Sequence, residues 1–160
     1  MNNHTITGIS DSDASLMTSK LNKLLSNYSI FHMNLRGLHW NICGNHFFRL
    51  HKEYEREYLD AYNKIDEIAE RILQLGALPL HTFKDYIDNS DIKPTKNVIN
   101  DSEGIKNILE SYKIIIKIES EIMELTDKIK DYGTNDMIAS YMREQSKRVW
   151  MFNSYITKCK

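Results

Sequence analysis

Cysteine, proline and glycine are all scarce in this chain. Its 160 residues hold two cysteines, two prolines and six glycines. Cys43 and Cys159 have no metal-ligand or disulfide spacing, so free thiols in a reducing cytoplasm are expected. Few prolines and glycines allow long helices to run without interruption. No basic region followed by an apolar run marks a signal peptide at the N-terminus. Apolar runs such as Ile114–Ile116 fall far short of the roughly 20 residues that span a bilayer. Neither sign of charge prevails: 21 basic and 22 acidic residues leave a net charge of -1. That balance gives no general argument for nucleic acid or membrane as a partner.

The chain instead offers helical periodicity. Residues 1–12 lack it and read as a mobile N-terminal tail, followed by one domain over residues 13–160. A helix is expected from Asp13 or Ser15, where a short oxygen-bearing side chain caps free N–H groups. Leu21, Leu24 or Leu25, Tyr28, His32, Leu35, His39 and Ile42 then recur at steps of three and four. Gly44 is a natural stop. A second helix runs from about Phe47 to Leu75, with Leu50, Tyr54, Tyr58, Ala61, Ile65, Ile68, Ile72 and Leu75 as its stripe. Gly76 ends it. The connection from Leu80 to Asn100 has room for a short helix over Thr82–Asn89. A third helix starts at Asp101 or Ser102 and closes at Tyr132-Gly133. Thr134 caps a fourth, which continues through Ile156. These elements predict an all-α, ferritin-like four-helix bundle with a short extra helix between helices two and three.

Two histidines and three carboxylates fall within thirty-two residues: His39, His51, Glu55, Asp66 and Glu70. His51 with Glu55, and Asp66 with Glu70, have the four-residue spacing of neighbours on one helix face. Helix rise puts His51 and Asp66 about 22 Å apart, too far for one metal ion to touch both. The pairs therefore serve different sites, or two copies of the chain meet head to foot. A site inside a single bundle would use Glu-x-x-His motifs, and the sequence has none, which favours two copies. Without the histidines, Asp66 and Glu70 would read as a solvated helix face.

The runs LHWNICGNHFFRLHKEYE and DEIAERILQLGALPL resemble those of the Dps-type miniferritins, DNA-binding proteins from starved cells. The pattern is carried by His39-Trp40-Asn41, Gly44, Phe47, Leu50-His51, Asp66, Glu70-Arg71 and Leu75-Gly76. The resemblance implies a hollow homo-oligomer, a dodecamer, with ferroxidase sites between subunits and two iron ions at each. His39, His51 and Glu55 would come from one subunit, Asp66 and Glu70 from its mate. It further implies oxidation of Fe(II) by hydrogen peroxide or O2, with the ferric product stored inside as protection against oxidative stress. Imidazole and carboxylate suit ferrous iron. Trp40, beside His39, is a candidate electron donor when only one iron is bound. Asp127, Asp131 and Asp136 are candidates for an acidic iron-entry pore, and ordinary capping is their alternative reading. The other role seen in such proteins is compaction of DNA, with iron secondary. Residues 1–18 contain no lysine or arginine, which argues against DNA capture by the tail.

Overall fold

The computed structural model describes residues 3–157; Lys158, Cys159 and Lys160 lie outside them. It contains six helical segments: α1 (Asn3–Ile6), α2 (Asp11–Asn41), α3 (Phe47–Gln74), α4 (Phe83–Asn89), α5 (Asp101–Ile129) and α6 (Tyr132–Ile156). No strand occurs among the described residues. Asn3–Ile6 forms one helical turn, Ile9 is buried, and α2 starts at Asp11. Ser10 sets that start by accepting a hydrogen bond from the Asp13 amide at 3.2 Å, with acids in the first turn favouring the positive helix end.

α2 and α3 form an antiparallel hairpin, α5 pairs with α6, and α2 also packs on α5. The apolar stripes meet in one core that includes Leu21, Leu24, Leu35, Tyr54, Ile68, Ile72, Ile105, Ile115 and Ile138. α3 ends where Gly76 adopts φ of 83°. The Gly76 amide then reaches Leu73 and the Ala77 amide reaches Ile72, satisfying free carbonyls. Three asparagines on α2 hold the long connection down. Asn22 accepts from the Leu80 amide, Asn27 from the Asp91 and Ile92 amides, and Asn34 from the Thr95 amide. This replaces the backbone pairing that an irregular segment otherwise lacks.

The turn between α5 and α6 departs from the sequence expectation. Lys130, not Gly133, takes the left-handed conformation, with φ of 60°. Asp131, not Thr134, caps α6. Gly133 sits inside the first turn, where a Cβ would stand 3.2 Å from the Arg71 guanidinium.

A buried polar cluster occupies the middle of the bundle. The Tyr28 hydroxyl (α2) and the Gln145 amide (α6) both donate to Glu119 (α5), at 2.9 and 2.7 Å. Burial pushes the Glu119 carboxyl up to about 7, against the opposing pull of Gln145, Tyr28 and Lys64. Its ordinary value is 4.5. Between those values the folded chain holds the extra proton, so this group's contribution to stability falls as pH rises. It levels off above about 7, after a loss of about 3 kcal/mol. Glu119→Gln should remove that slope. In urea unfolding, the variant should gain on the wild type by about 3 kcal/mol between about pH 5 and pH 8. Parallel stability profiles would contradict it.

Candidate metal centre

The tight α2–α3 connection brings His39, in the last turn of α2, against His51, in the second turn of α3. Their rings stack with centroids 3.8 Å apart and planes inclined by 20°. Each Nδ1 lies 2.8 Å from the other residue's backbone carbonyl oxygen. A carbonyl only accepts, so both Nδ1 atoms carry the proton, and both Nε2 atoms of the neutral rings keep a lone pair. This is the arrangement that orients metal-binding imidazoles. The loop makes the first of these bonds available. The Cys43 amide turns away to Ile99, which frees the His39 carbonyl at the helix end to accept from His51.

Aromatic rings hold the pair in place. Phe47 stacks on His51 with centroids 5.0 Å apart, and Tyr58 meets His39 edge-on at 5.3 Å. The Tyr58 hydroxyl also donates to Glu55 at 3.5 Å. Glu55 is exposed, one turn beyond His51. Tyr58 read as simple packing in the sequence; its position one turn from Glu55 and two turns from His51 was the available signal.

Asp66 and Glu70 are exposed farther along α3. Neither makes a hydrogen bond or ion pair with the described residues. α3 is unbroken between the two pairs, so the separation of about 22 Å stands. Among the described residues, no three His, Cys, Asp or Glu side chains gather closely enough to hold a metal ion. The chain thus presents two separated groups of candidate ligands.

Trp40 is exposed, with the Arg36 guanidinium 4.7 Å over its ring. Its ring borders a shallow cavity shared with Met33 and Lys96, while the ring neighbours of His39 are His51 and Tyr58. The three aspartates near the α5–α6 turn separate. Asp131 is buried, paired with Arg71 at 2.7 Å, and accepts from the Thr134 amide at 3.0 Å. Its carboxylate caps α6, the alternative reading of this residue in the sequence. Asp127 and Asp136 are exposed, and Asp127 accepts from Asn135 at 3.1 Å.

A ferritin-like domain model matches residues 18–160. The DNA protection during starvation protein of Porphyromonas gingivalis is 37% identical over 153 residues, 96% of each chain. The chain belongs to the Dps proteins of the ferritin-like family. Solved Dps structures share its fold. Dps from Vibrio cholerae O1, described as a member of a superfamily of ferritin-like diiron-carboxylate proteins, superposes with a TM-score of 0.92. It is 38% identical, and the match covers 93% of this chain and 94% of that one. Staphylococcus aureus Dps gives 0.86 at 26% identity, covering 89% and 96%. No helix among the described residues is long and apolar enough to cross a membrane.

Proposed function

We propose that this Dps chain oxidises Fe(II) with hydrogen peroxide, and with O2 as the alternative oxidant, at sites completed by a second copy. The observation that carries this reading is the division of the ligand set. Two oriented imidazoles with free Nε2 atoms stand at one end of α3, and two unpaired carboxylates stand at the other. A two-fold axis unites one set with the other twice, giving two equivalent sites per pair of subunits.

Iron is the substrate. His39 and His51 bind Fe(II) as neutral donors, while Glu55 and the mate's acidic pair offset the charge gained on oxidation. Two Fe(II) ions supply two electrons. With two protons, these convert one hydrogen peroxide to two waters, so no hydroxyl radical is released. The ferric product is stored in a hollow homo-oligomer, a dodecamer in this reading. In a reducing cytoplasm this chemistry removes both reactants of radical production. The relatives are named for DNA protection. Here that protection runs through iron and peroxide, since residues 5–18 offer no cation for phosphate. Loading the protein anaerobically with Fe(II), adding peroxide and following particle size tests the reading. Rapid oxidation inside a large particle supports it; a monomer that oxidises no iron overturns it.

Two subsidiary roles belong to this proposal. Asp136, with Asp127 nearby, attracts Fe(II) to an entry pore. Asp136→Asn should slow iron uptake by about tenfold at low salt, and an unchanged rate in stopped-flow uptake would contradict it. Trp40 donates an electron when only one iron is present. Trp40→Phe should then raise spin-trapped hydroxyl radical at low iron loading; unchanged trapping would remove Trp40 from the mechanism.

A further inference from the structure

The hydrogen bonds in the middle of the bundle leave two oxygens over. Glu119 Oε2 and Gln145 Oε1 are buried and have no partner among the described residues. Glu119 is 0% and Gln145 2% exposed. The other halves of these two groups are joined. The Gln145 amide nitrogen donates to Glu119 Oε1 at 2.7 Å and to the Tyr28 hydroxyl oxygen at 2.6 Å. The Tyr28 hydroxyl donates to the same Oε1 at 2.9 Å. These contacts fix the amide, because turning it over would set its carbonyl oxygen against Glu119 Oε1. Both leftover atoms are acceptors while Glu119 is ionised, and a buried acceptor without a donor is costly. No described side chain supplies the missing hydrogen. Lys64, from α3, is held by Asp60 and Glu144 at 2.6 and 3.0 Å. Tyr141, from α6, donates to Glu67.

We infer that Glu119 and Gln145 form a proton-operated latch between α5 and α6. In the closed state the hydrogen sits on Glu119 Oε2 and is donated to Gln145 Oε1. Acid and amide then pair edge to edge through two hydrogen bonds. Loss of the proton turns Oε2 from donor to acceptor. Two acceptors then face each other, and the contact between the helices slackens. Burial, which pushes the Glu119 carboxyl up to about 7, sets the switch near neutrality. Tyr28 and Tyr141 stay protonated throughout, since burial pushes both phenols above their ordinary range. A cavity of about 270 Å³ beside Gln145, bordered by Asp60 and Glu144, gives the proton a route to solvent. The latch uses no metal, so it operates in the iron-free protein.

Infrared spectra and hydrogen exchange on the iron-free, full-length protein read the latch. Between about pH 6 and about pH 8 the wild type should lose a protonated-carboxyl C=O stretch that Glu119→Gln never shows. Over the same range, exchange of the backbone amides around residues 119 and 145, corrected for the intrinsic rate, should speed up by about tenfold. In Glu119→Gln the new side-chain amide supplies the donor at every pH, so its corrected exchange should stay flat. A crystal structure of the wild type grown near about pH 6 should place Glu119 Oε2 and Gln145 Oε1 within hydrogen-bonding distance, with nothing between them. That measurement needs no variant. A water or a cation between the two oxygens would overturn the inference. So would a carboxyl band that is absent or unchanged across the range, or exchange that rises in parallel in both proteins.

Discussion

Arg148→Met should destabilise the folded subunit by about 3–5 kcal/mol, because it strands a buried carboxylate. Glu57 is buried in the bundle and accepts from the Arg148 guanidinium and the Tyr112 hydroxyl. Arg148 also reaches Glu53 at 2.8 Å. Burial pushes the Glu57 carboxyl up, and Arg148 is the largest opposing influence. Without Arg148 that upward push is unopposed by a cation, and the folded chain binds a proton that the unfolded chain releases. The variant's deficit should therefore be smaller at about pH 5 and grow towards about pH 8. Glu57→Leu combined with Arg148→Met should recover most of the loss, since an apolar pair needs no compensation. Denaturant unfolding at the two pH values checks all three points. A deficit under about 1 kcal/mol at the higher pH would show that the pair is hydrated rather than buried.

Asp66→Asn with Glu70→Gln should lower Fe(II) oxidation by about a hundredfold or more, an effect beyond that of losing an outer-shell partner. Subunit stability should not change. Both side chains are exposed and make no bond within the described chain, and surface changes of this kind usually stay within about 0.5 kcal/mol. His39→Ala with His51→Ala should lose as much activity but carry a stability cost as well. His39 is buried, and the two rings satisfy each other's backbone carbonyls. That contrast separates a ligand role from a packing role. Stopped-flow oxidation and thermal unfolding, measured on both double variants, distinguish them. Full activity in the Asp66/Glu70 variant would remove the acidic half from the site.

The four long helices were legible because their cores repeat at three and four residues, and because Gly76 takes the positive φ that ends α3, whereas α2 stops at Asn41, with Ile42 as its cap, ahead of Gly44. Gly133 misled for the same reason. A glycine after a long helix reads as a stop, but here it leaves space for Arg71, and the left-handed residue is Lys130. What the sequence hid were contacts between distant residues. Arg148 and Glu57 are ninety-one positions apart, and neither has a local pattern that announces its partner. Asn27 and Asn34 look like ordinary polar positions on a helix until the long connection lies across them. The candidate ligands could be picked out from their spacing together with the resemblance to Dps motifs, but the orientation of the imidazoles could not. It depends on two backbone carbonyls that face each other only once α2 and α3 have packed.

Co-assembly of the two double variants tests the central claim most directly. One chain lacks His39 and His51; the other lacks Asp66 and Glu70. In a mixed two-fold pair, one site loses all four groups and the other keeps all four. Equal mixing at random leaves about one quarter of the sites intact. Mixed particles should therefore oxidise Fe(II) at about a quarter of the wild-type rate, although neither variant alone is active. No recovery, in particles shown to contain both chains, would contradict a site shared between subunits.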